Sequence, residues 1–167
     1  MKRMNMVRVA VVALVTIARA GLMPSTVEAQ TATNEAVAIV AHPQVAIDDL
    51  SMNQLKSIFL AEQQYWPDRS RITLLVRAPQ APERDLILNE IYGMSEDRYR
   101  QYWIAKMFRS EVASGPKIVF STDMLRNLVT VIPGSIGFVP ASAAVGTDLK
   151  VIRIDGKLPG EEGYPLG

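Results

Sequence analysis

Two kinds of apolar run alternate along the chain. Val37 to Ala41 is unbroken, as expected of a strand covered on both faces. Ile72 to Val76 reads as a second buried strand ending at Arg77. A short loop with Pro79 and Pro82 follows, and then an amphipathic helix with Leu86, Ile87 and Ile91 facing inward. Pro82 suits a first helical turn, where its missing N–H needs no partner, and Gly93 is the expected stop. Ser51 and Gln54 are spaced as a capping box, with Leu50 and Leu55 as a hydrophobic staple. Leu55, Ile58 and Phe59 then make one helical face. Ser95 is expected to cap a helix whose positive first turn holds Glu96 and Asp97. Tyr99, Tyr102, Trp103, Lys106 and Met107 recur along it as a core stripe.

Further on, Ser114-Gly115-Pro116 breaks the pattern, and Ile118 to Phe120 reads as a short strand. Thr122 is the expected cap of a helix burying Met124, Leu125, Leu128 and Val129. Pro133-Gly134 turns the chain into a strand over Ile136 to Val139, where Gly137 suggests a bulge or close backbone approach. Leu149 to Ile154 is a last strand, and residues 156–167 read as a loose tail. Strands alternating with helices predict an α/β domain with a largely parallel sheet.

The N-terminus changes the account of charge. Lys2, Arg3 and Arg8 precede the apolar run Val9 to Ala18, and Val27-Glu28-Ala29 offers small residues for cleavage. This is the layout of an export leader over residues 1–29, and ten apolar residues are too few to span a bilayer. Ala18-Arg19-Ala20 is a second cut point, and a retained amphipathic anchor is the alternative to cleavage. Residues 30–35 read as a loose segment before the domain. The whole chain has 18 basic and 17 acidic residues. Without the leader, which holds four basic residues and one acidic, 14 basic face 16 acidic ones, a net charge of −2. No basic cluster remains, which argues against nucleic acid as a partner. The absence of cysteine excludes disulfides, thiolate metal sites and a cysteine nucleophile.

Candidate chemistry is sparse. His42 is the single histidine, so no histidine cluster can form. It reads as a strand-end residue near the surface rather than a general base. Asp48 and Asp49 are adjacent and cannot line one face, and no phosphate loop, dinucleotide fingerprint or nucleophile elbow is present. No enzyme and no cofactor are implied. A strand emptying into a helix N-terminus does present backbone N–H groups and a positive dipole end, a ready anion site. Arg77 at that strand's end would add a charged fork. An ordinary strand–helix turn with one surface arginine fits the same residues. Trp66, in the polar loop beginning at Ala61, fits a ligand lid but better fits a residue pinning the loop to the core.

Three segments together carry a resemblance. LSMNQLKSIFLAEQQYWPD resembles the "L-x-x-IF-x-G…W-x-D" stretch of the phosphate-binding proteins of ABC transporters and their short relatives. LLVRAPQAPERDLIL takes the place of that family's strand, arginine, Ser-Gly-Thr turn and helix, and VIPGSIGFVPAS is similar to its "PGAIGYV" strand. The order matches, over about residues 37–154. The resemblance implies a single three-layer lobe of the type 2 periplasmic-binding-protein fold, occupying 36–155. It implies a periplasmic solute-binding role, a small phosphate-like anion as ligand and an ABC permease or other envelope protein as partner. It carries Arg77 onto the family's phosphate-binding arginine and places the ligand turn at Ala81, Glu83 and Arg84. There the chain departs from the pattern: Ala81-Pro82-Glu83 replaces Ser-Gly-Thr, removing two hydroxyls and one backbone donor and adding a negative charge. The second reading is therefore a periplasmic protein-interaction module with a vestigial ligand site.

Overall fold

The computed structural model describes residues 35–167. The expected leader, and the expected loose segment apart from Glu35, lie outside the described residues. A six-stranded sheet in the order β2-β6-β1-β5-β3-β4 forms the middle layer. The strands are β1 (Val37–Ala41), β2 (Asp49–Leu50), β3 (Thr73–Arg77), β4 (Lys117–Val119), β5 (Ser135–Pro140) and β6 (Lys150–Ile154). The β2–β6, β3–β5 and β3–β4 pairs are parallel, whereas β1 is antiparallel to both neighbours. Five strands therefore share one direction and β1 alone opposes them. The unbroken apolar run of β1 reflects burial on both faces: Val37, Ile39 and Ala41 enter one core, Ala38 and Val40 the other.

Helices α1 (Met52–Phe59), α2 (Pro82–Ile87) and α3 (Glu96–Phe108) cover the first face. Their side chains Leu55, Ile58, Phe59, Ile87, Tyr99 and Trp103 fill the larger core. Helix α4 (Thr122–Val131) and the single turn α5 (Ala141–Ala144) cover the second face, with Leu125 and Val129 buried there. This is the three-layer α/β arrangement expected.

The local signals largely hold. Ser51 and Gln54 make both bonds of the capping box, and Ser95 accepts from the Arg98 amide. Trp66 is buried, and its Nε1 donates to the Gly134 carbonyl at 2.9 Å, which pins its loop to the core. Gly137 sits where a Cβ would lie 2.9 Å from the Leu75 carbonyl oxygen, so β3 and β5 approach closely there.

Several expectations are corrected. Ser121, not Thr122, caps α4, and Met124 is exposed on it. Strand β4 begins at Lys117 and ends before Phe120, which is exposed because β4 is the edge of the sheet. Met107 is likewise on the surface. His42 is buried rather than near the surface, its Nδ1 accepting from the Gln44 amide. The tail is not loose: the Val37 amide donates to the Leu166 carbonyl, Tyr164 Oη donates to the Val37 carbonyl, and Leu166 is fully buried. Its glycines and prolines suggest a coil, but two apolar anchors, Tyr164 and Leu166, bind that coil beside β1.

Candidate functional site

Arg77 is the last residue of β3, paired across the ladder with Val119 of β4. The chain then turns through residues 78–81, with the Ala78 amide bonded to the Val119 carbonyl and Gln80 in a left-handed conformation at φ 75°. Ala81 stands at the N-cap without a side-chain bond, and Pro82 begins α2. The Arg84 amide is directed to the Ala81 carbonyl. With Pro82 carrying no N–H, few first-turn donors remain for an outside anion.

The side chains supply their own anions instead. Glu83 is buried, and its Oε1 accepts from Arg77 Nε at 2.6 Å. Arg77 Nη1 also donates to the Val119 carbonyl at 3.3 Å. An arginine has five N–H donors in a planar fork. Nη2 of Arg77 makes no hydrogen bond among the described residues, and the residue keeps 9 % of its surface exposed. Arg77 is therefore no surface arginine; it is a part-sealed cation with one edge of its fork held internally.

Arg84 is deeper still, at 2 % exposure. Its Nη1 donates to the Arg77 carbonyl at 2.5 Å, and its Nε and Nη2 grip both oxygens of Glu96 at 2.9 and 3.0 Å. The guanidinium lies 4.8 Å from the centre of the Tyr99 ring, close enough for a cation–π contact. Burial pushes the Tyr99 phenol above its ordinary range, with the Arg84 charge opposing that shift. Arg84 thus ties the end of β3 to the start of α3.

The structure therefore brings Arg77, Ala81, Glu83 and Arg84 together around one turn, as the sequence places them. The two arginines are matched by two carboxylates, so the cluster carries no net charge. Glu96 and Tyr99 complete it. In the sequence Glu96 reads only as a first-turn acid and Tyr99 only as part of a core stripe; nothing in their spacing marks them as partners of Arg84. Elsewhere, Asp48 is paired with Lys150 at 2.7 Å, and Asp49 accepts from the Gly156 amide. Among the described residues no group of His, Asp or Glu could hold a metal ion.

Comparison with protein-family models and with characterised sequences gives no match. Comparison with solved structures does. The chain is similar to an ABC-type phosphate transport receptor from Vibrio cholerae, at TM-score 0.60 and 21% identity, over 75% of this chain and 48% of that one. It is similar to PstS from Borrelia burgdorferi, at TM-score 0.61 and 15% identity, over 79% of this chain and 54% of that one. A phosphate-binding protein from Stenotrophomonas maltophilia follows at TM-score 0.55 and 18% identity, covering 75% and 40%. The chain has a phosphate-binding-protein-like fold and spans about half the length of the structures it matches. The Vibrio and Stenotrophomonas structures are named for transporting or binding phosphate.

Proposed function

We propose that the chain is an exported solute-binding-type lobe whose ligand position is the Arg77 end of β3, and that its ligand is a small oxyanion of the phosphate class. One observation carries this reading. On a fold shared with phosphate-binding proteins, Arg77 holds Nη2 without a partner among the described residues while Glu83 occupies Nε. An anion binding to the remaining edge of the fork would share the arginine with Glu83. At about 6 Å and an effective dielectric of 20, two such negative charges repel by roughly 3 kcal/mol. Weak binding is the consequence, and Glu83 is the residue that sets it. Export rests on the leader-like pattern of residues 1–29.

The interaction-module reading is favoured by a different observation. Ile118 and Phe120 are exposed at and just beyond the free edge strand β4, and exposed apolar residues at an unpaired edge mark protein contacts.

One experiment separates them. Thermal unfolding is followed with millimolar phosphate, sulfate or chloride for wild type, Glu83→Gln and Arg77→Ala. Binding to the folded state raises stability by RT ln(1 + [L]/Kd), about 2.7 kcal/mol at 100 times Kd. The expected result is a small phosphate-dependent shift in wild type, a larger one in Glu83→Gln, and none in Arg77→Ala. No oxyanion-dependent shift in wild type or Glu83→Gln would sink the solute-binding reading and leave the partner surface.

A further inference from the structure

We propose a second binding site, distinct from Arg77: a cleft at the opposite end of the sheet that takes a small organic anion with an apolar body. The cleft encloses about 280 Å³ between the start of β3, the start of β4 and the loop after α1. Strands β3 and β4 are parallel, so Thr73 and Lys117 lie at their amino ends and Arg77 and Val119 at their carboxyl ends. Four residue steps along the strand set Thr73 roughly 13 Å from Arg77. No residue of the 77–84 turn lines the cleft.

Its chemistry is one-sided. Arg71 and Lys117 are the charged residues on its wall, and no acid lines it. Both are exposed, and neither makes an ion pair among the described residues. Glu111, beside the lining residue Val112, is engaged by Arg109 and Lys106, and Glu62, beside Ala61 and Gln63, accepts from the Ser57 hydroxyl. Gln64, also on the wall, is held by its Nε2 donating to the Glu111 carbonyl at 2.9 Å. Ala61, Ile72 and Pro116, each half-buried, supply an apolar wall over the core residues Leu74 and Trp103. A pocket of this size lies at the small end of small-molecule sites, where an apolar lining with a few placed polar groups is the usual composition. Inorganic phosphate would leave that wall unfilled, whereas a ring-sized carboxylate fills it and presents its charge to Arg71 and Lys117. The free energy is shared between apolar contact and two part-exposed charge pairs, each modest by itself.

The test is an NMR titration of the purified protein with benzoate, with benzyl alcohol as the neutral counterpart. Saturable shifts are expected at the Trp103 indole, at residues 71–73 and at residues 114–117, with weaker binding of benzyl alcohol. Arg71→Gln combined with Lys117→Gln should weaken benzoate about tenfold, as the loss of two exposed charge pairs allows; these side chains face solvent, so the fold survives. Arg77→Ala should leave the benzoate affinity unchanged, which separates this site from the oxyanion position. Absence of saturable shifts, equal binding of the alcohol, or indifference to the double substitution would each overturn the proposal.

Discussion

Arg84 is almost wholly withdrawn from water, yet every direction its guanidinium faces is answered: the Arg77 carbonyl, both Glu96 oxygens and the Tyr99 ring. Removing one partner from such a buried ionic contact leaves the other uncompensated and typically costs 3 to 5 kcal/mol. Glu96 keeps about a third of its side-chain surface in water, which lowers that figure here. Arg84→Ala is expected to destabilise by about 2–3 kcal/mol in urea unfolding, and Arg84→Lys to recover little, since an ammonium cannot reproduce the bidentate fork. A loss below about 0.5 kcal/mol, the level of an ordinary surface substitution, would mean that the contact is incidental. At this scale the sequence is half legible. The position of Arg77 at a strand end follows from the apolar run before it and the prolines after it. That Glu83 closes onto it does not, because nothing in the residue types of the turn marks that pairing or the positive φ of Gln80 between them.

The segment 82–92 shows what helical spacing can and cannot supply. An uninterrupted α-helix would turn Leu86, Ile87 and Ile91 inward. Instead α2 ends at Ile87 and the chain passes into a π-helical turn, Leu88–Tyr92, closed by Gly93 in the left-handed conformation. The wider turn brings Leu88 and Tyr92 into the core beside Ile87 and Ile91, while Leu86 stays half-buried. Such insertions leave no mark in a period of 3.6 and occur often at functional sites. Capping signals fare better because they are short and chemical. Ser51 accepts from the Gln54 amide at 3.2 Å, and Gln54 Oε1 accepts from the Ser51 amide at 2.9 Å. Ser51→Ala is expected to cost about 1 kcal/mol, read from the denaturation midpoint with an unchanged m-value. Ser51→Asp should restore most of it. An equal loss in both variants would place the effect outside the cap.

Over the described residues the domain is closed by a contact the sequence conceals, the tail returning to β1. Composition argues for a coil over residues 156–167, and only the burial of Tyr164 and Leu166 shows it to be part of the domain. The sheet direction was legible from the alternation of strands and helices; the reversal of β1 was not, since an apolar run reports burial and not sense. The tail also links the fold to pH. Burial raises the phenols of Tyr92, Tyr99 and Tyr164 above their ordinary value near 10. A raised folded-state pKa means that the neutral phenol is favoured in the native protein. Its contribution is complete below the unfolded value and is lost as pH rises through the folded one. Stability should therefore be flat to about pH 9.5 and then fall steeply, with the phenolate absorbance of these three tyrosines appearing in the same cooperative step as the loss of circular dichroism. Tyr164→Phe removes one of the titrating groups together with its bond to Val37, so it should lower stability at neutral pH and make the alkaline decline shallower. If all five tyrosines of the chain ionise while the helical signal stays intact, the core around Tyr92 is open to hydroxide and the tail does not seal β1.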